Sequence, residues 1–89
     1  MHLVVLFAAY KDINEGKQMF NSRHRLESIN KILRQANHLI EKREHVYVLR
    51  EKVENSSYKG DTVWRDCGVY YTKKDAANMA NIVLNCFLS

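Results

Sequence analysis

Apolar residues fall along this chain in three rhythms. Residues 2–10 hold an unbroken apolar run, Leu3-Val4-Val5-Leu6-Phe7-Ala8-Ala9, the pattern of a strand covered on both faces. From Ser22 onward, Leu26, Ile29, Leu33, Ala36 and Ile40 recur at helical steps, and Ile32 and Leu39 widen the stripe. This spacing predicts one helix over about 23–43. Ser22 is a good N-cap, and Lys42 and Arg43 suit a helix C-terminus. Lys11 to Asn21 is polar around Gly16 and reads as a long loop or arm, with Met19 and Phe20 exposed on it.

Alternation takes over at His45 to Glu54, a predicted strand. Tyr47, Leu49 and Val53 share one face; Val46, Val48, Arg50 and Lys52 share the other. Asn55-Ser56-Ser57 and Lys59-Gly60-Asp61 punctuate a hairpin loop around Tyr58. Thr62 to Tyr71 is the return strand, with Val63, Cys67, Val69 and Tyr71 as its core side and Arg65 at the rim. Gly68 marks a bulge or a close backbone approach. Thr72 then caps a last helix, with Asp75 three residues on. Ala76, Ala80, Val83 and Phe87 form its apolar ridge, and Ala77, Leu84 and Leu88 lie beside it.

The order β-α-β-β-α predicts an α+β fold, a three-stranded mixed sheet with two helices packed on one face, as a single domain over 1–89. The first strand is the most apolar and would leave an edge to be covered. Pairing of that edge with a second copy makes a homodimer a reasonable expectation.

The chain has 89 residues, a net charge of +4 and no proline. A small basic domain of this kind suits nucleic acid, a membrane surface or an acidic protein partner, or simply carries a solvated basic surface. Cys67 and Cys86 have no metal-ligand spacing, and two reduced thiols fit a cytoplasmic protein. No Lys or Arg precedes the first apolar run, which is also too short to span a bilayer, so no membrane partner is expected.

Charge becomes informative at Thr72-Lys73-Lys74-Asp75. Two lysines stand in the first turn of a helix, where the positive end of the helix dipole disfavours cations. Their placement makes sense if an anion binds there, since free backbone N–H groups already point at it. Arg23-His24-Arg25 repeats the pattern at the earlier helix start. In the predicted topology these two starts lie at opposite ends of the sheet. Arg50, Lys52 and Lys59 would extend the basic surface. Trp64 and Tyr70, on one strand face beside Arg50 and Lys52, would serve as core, as interface or as a platform for stacking bases.

The stretch from Tyr71 to Ala80 resembles the start of the last helix of the double-stranded RNA-binding domain. In that family a strand leads into a Ser-Lys-Lys-acid-Ala helix whose lysines grip phosphates across the major groove. Lys73, Lys74, Ala76 and Ala80 match by position, with Thr72 in place of the serine. The resemblance implies binding of structured RNA by shape and backbone. It also implies three strands between the helices and a strand-connecting loop with a minor-groove histidine. The pattern here predicts two strands, an additional first strand, and no clear match to that loop.

Catalysis ranks below binding. Four histidines admit a ribonuclease built on Glu44, His45 and Arg65, but no spacing demands it. No His, Cys and acid set has zinc spacing, and neither a phosphate-cradling glycine loop nor a nucleophile elbow is present. The sequence thus points to a small non-catalytic module, without metal or cofactor, that contacts RNA phosphates through Lys73, Lys74, Arg23 and Arg25. The alternative is a small phage or bacterial accessory protein that docks on a larger protein and inhibits or regulates it.

Overall fold

The computed structural model describes residues 19–55 and 60–88. The apolar run at 2–10, the edge it would offer a second copy, most of the arm after it, and Tyr58 and Lys59 lie outside the described residues. Helix α1 spans Leu26–Leu33 and runs through a 3-10 turn, Arg34–Ala36, into strand β1, His38–Arg43. Strands β2, Val46–Glu54, and β3, Thr62–Tyr70, come next, and helix α2 spans Lys73–Leu88. The fold is α+β, with the sheet ordered β1-β2-β3. Both neighbouring pairs of described strands are antiparallel, and the described order is α-β-β-β-α.

The long helix expected over 23–43 is broken at Asn37. This residue has φ 60 and ψ 36, in the left-handed region. Its N–H still bonds the Arg34 carbonyl at 3.1 Å, while its own carbonyl accepts the Lys52 N–H at 2.8 Å. Asparagine is among the few side chains that tolerate this conformation, which ends helices. The chain then reverses along β2. Leu33, Ala36 and Ile40 are all buried, as their spacing requires, but Ile40 reaches the core from a strand.

The helix also starts later than expected. Ser22 does not cap it. Asn21 folds the chain into a turn first, its Oδ1 accepting the Arg23 N–H at 2.9 Å and its carbonyl accepting the His24 N–H at 3.2 Å. Arg25 stands at the N-cap with no side-chain hydrogen bond. At α2 the expectation holds: the Asp75 N–H donates to Thr72 Oγ1 at 3.1 Å.

One core lies between the helices and one sheet face. Ile29, Leu33 and Ile40 meet Leu49, Ala76, Ala77, Ala80 and Leu84 there. Phe20 belongs to it and is 2 % exposed, with Met19 packed alongside, so neither is an exposed arm residue. Asn81 holds Phe20 in place, accepting its N–H at 2.8 Å and donating to its carbonyl at 2.9 Å. Asn30 does the same for Ile40, at 2.7 and 2.8 Å, which ties α1 to the outer edge of β1.

Strand β3 corrects the expected core face. Arg50 pairs with Asp66 and Leu49 with Gly68, so Cys67 is the extra residue of a bulge. Alternation shifts there. Val69 pairs with Val48 on the face away from the described helices and is 53 % exposed, while Tyr70 turns to the core. Trp64, opposite Lys52, therefore does not share a face with Tyr70. Tyr71 lies past the strand and is 77 % exposed. Helix α2 crosses from the end of β3 toward Ala36 and His38, which leaves Val63 and Cys67 uncovered and Phe87 half exposed. Gly68 meets a close approach: a Cβ there would lie 2.7 Å from the Tyr70 hydroxyl and 3.0 Å from its ring.

Asn37→Gly should leave stability within a few tenths of a kcal/mol, whereas Asn37→Ala should cost about 1 kcal/mol, because only glycine and asparagine enter the left-handed region cheaply. Urea unfolding midpoints of the two variants check this.

Candidate nucleic-acid interface

The chain connections put both helix starts at one end of the sheet. Helix α1 leads into the beginning of β1, and α2 leaves from the end of β3. In the antiparallel register Arg43 pairs with Val46 and Tyr47 with Tyr70, so the β1–β2 turn and the start of α2 share an end. Asn30 sits level with Ile40, and α1 therefore begins toward that same end. The opposite-ends expectation is overturned because 34–43 supplies a strand, which reverses the direction in which α1 approaches the sheet.

Lys73 and Lys74 stand in the first turn of α2, half-buried and exposed respectively. Arg23 and Arg25 are exposed before α1, held out by the turn at Asn21. That turn is tied down further by the Asn21 N–H, which donates to His24 Nδ1 at 3.1 Å, and by an edge contact of His24 with the Phe20 ring at 6.2 Å. The first N–H groups of α1 face out with no side-chain cap, the condition under which a helix start attracts an anion. At the same end of the sheet the β1–β2 turn carries Glu44, at φ 51, and exposed His45. Lys42 lies over the Tyr47 ring, 5.4 Å from its centre.

Arg50 and Lys52 belong to the other side of the sheet. Arg50 Nε donates to Asp66 at 3.0 Å and its Nη2 to the Trp64 carbonyl at 3.2 Å. Arg43 grips the same carboxylate in a two-pronged contact at 2.8 and 3.1 Å and reaches Glu41 at 3.2 Å. Two arginines and two acids thus form a network on the face to which Val48, 3 % exposed, also belongs, and among the described residues no helix lies over that face. Lys52 is exposed beside this network, and Lys59 lies outside the described residues. The hydrogen bond from Arg43 holds the Asp66 carboxyl below its ordinary pKa, with the Coulomb attraction of Arg43 and Arg50 adding to it. The Cys67 thiol is pushed up, chiefly by burial.

Glu44, His45 and Arg65 do not converge. His45 is in the β1–β2 turn, while Arg65 faces Glu51 toward the far end of the sheet, with Nη2 and Oε2 3.5 Å apart. The structure instead gathers three residues that no local spacing links. His38, expected on a helix flank, opens β1, and it stands beside Glu51 and Cys67. Next to them an apolar groove of about 350 Å³ runs between Ala36, His38, Val83, Cys86 and Phe87.

In comparisons with known proteins, no family model, curated protein or solved structure matches the chain. Among the described residues no helix is long and apolar enough to cross a membrane.

The Asp66 carboxyl has a lower pKa folded than unfolded, so its contribution to stability is complete above the ordinary carboxylate range and is lost as pH falls through the folded value. The gap in thermal midpoint between wild type and Asp66→Asn should be widest near pH 6 and shrink below about pH 4. Added salt should also narrow it.

Proposed function

We propose that this chain is a small non-catalytic module that binds structured RNA through its phosphates, in the cytoplasm. The observation that carries this reading is that the connections and the strand register direct both basic helix starts toward one end of the sheet. Lys73 and Lys74 on α2, and Arg23 and Arg25 before α1, supply the cations. The N–H groups of the uncapped α1 start add a partial positive charge to the same end. Arginine forks and lysine point charges at separate places suit contacts to successive stretches of a phosphate backbone.

Two further features are in keeping with this reading. Three strands, not two, separate the helices, and the turn joining the first two strands carries an exposed histidine, His45. Arg50, with its donors turned to Asp66 and a carbonyl, acts chiefly in holding together the face away from the described helices, and Lys52 extends the charge there.

A second reading, a small accessory protein that docks on and regulates a larger one, is favoured by the groove beside His38. Ile82 and Phe87 on its rim are 53 % and 48 % exposed. A homodimer would instead pair the edge of the first apolar run, at 2–10, with its counterpart in a second copy.

Binding of a structured RNA hairpin, measured from low to moderate salt, separates the readings. The RNA module should lose affinity steeply with salt, and Lys73→Glu/Lys74→Glu should reduce the log–log slope by about 2, roughly one per phosphate contact. Binding that is absent, or flat with salt, would remove the RNA reading and leave the docking one.

A further inference from the structure

Three metal-ligating side chains, far apart in the chain, meet across all three strands. His38 opens β1, Glu51 faces it from β2, and Cys67 is the extra residue of the bulge in β3. A ring nitrogen of His38, a carboxylate oxygen of Glu51 and Sγ of Cys67 all lie within 4.8 Å of one another. We propose that His38, Glu51 and Cys67 together bind one divalent cation of the zinc class.

The distances are close to those of a formed site. Bonds of about 2.0–2.3 Å around tetrahedral zinc place ligand atoms roughly 3.3–3.7 Å apart, so side-chain rotation of about 1 Å closes the set. The His38 Nδ1 lies 2.6 Å from the Ala36 carbonyl, and a carbonyl only accepts, so Nδ1 carries a hydrogen and Nε2 is the nitrogen left to bind the cation. A backbone carbonyl on the second ring nitrogen is what commonly fixes the tautomer of a metal-bound histidine. The mixed set of imidazole, carboxylate and thiolate suits Zn²⁺ or Co²⁺, whereas Mg²⁺ and Ca²⁺ take oxygen.

Binding replaces the Cys67 S–H bond with an S–metal bond and releases that proton to solvent. The thiol gives up its 3.4 Å contact with the Leu49 carbonyl. Glu51 gives up its 3.5 Å contact with Arg65, a solvent-facing ion pair of the kind that contributes little. Cys67 is exposed, so water takes the fourth position. A cation held by all three strands would staple the bulged part of the sheet and raise stability by mass action.

Cobalt titration of the reduced protein tests this. Wild type should give a one-to-one cobalt–thiolate charge-transfer band, and zinc should raise its melting temperature. Cys67→Ser, at an exposed site where folding is not at risk, should abolish the band. His38→Ala and Glu51→Gln should each weaken cobalt binding by about 10- to 100-fold or more. Cys86→Ser should leave both band and affinity unchanged. A band that survives Cys67→Ser, a band that needs Cys86 instead, or no band with excess cobalt would each overturn the proposal.

Discussion

The left-handed backbone at Asn37 is the constraint on which the rest of this structure turns. Up to Ala36 the chain is helical, and the apolar spacing beyond it is compatible with more helix. A residue that enters the left-handed region at little cost stops the helix there, and its carbonyl, bonded to the Lys52 N–H, commits residues 38–43 to the sheet. That single turn produces the third strand, the direction of α1, and the position of His38 at the start of β1. Had the helix continued, the sheet would have lost β1 and α1 would have approached it from the other direction.

Two asparagine amides secure the consequences. Each satisfies both the N–H and the carbonyl of one backbone residue, as a neighbouring strand would. Asn30 closes the outer edge of β1 at Ile40, and Asn81 pins Phe20 against α2 so that the chain enters α1 from within the core. On the opposite face, where none of the described helices lies, Arg43, Arg50, Glu41 and Asp66 form a charged network. Polar groups thus occupy that face, while Arg23, Arg25 and Lys74 stand exposed at the helix starts.

Much of this was legible in the sequence. Strand β2 with its two faces, the extent of β3, the Thr72 cap and the alanine ridge of α2 all come from alternation, spacing and capping. The region 34–43 was misread because Leu33, Ala36 and Ile40 satisfy a helix stripe and are also buried when Ile40 sits on a strand. Period alone does not separate the two, and the deciding residue, Asn37, is polar and outside the stripe. The faces of β3 were misread because one bulge residue, Cys67, shifts the alternation, leaving Val69 out and Tyr70 in. Of the candidate residues, Lys73 and Lys74 were legible from charge at a capped helix start. His38, Glu51 and Cys67 were not, because only the strand register and the bulge bring them together.

The most direct test of this account is a nuclear Overhauser measurement on the segment after Asn37. Asn30 takes both the N–H and the carbonyl of Ile40, so Ile40 and Leu49 form a pair with no hydrogen bonds between them, the closer kind in an antiparallel ladder. Strong Hα–Hα contacts are expected between Ile40 and Leu49, and again between Lys42 and Tyr47. Helical contacts between residues three apart, running unbroken from 34 to 43, would contradict it.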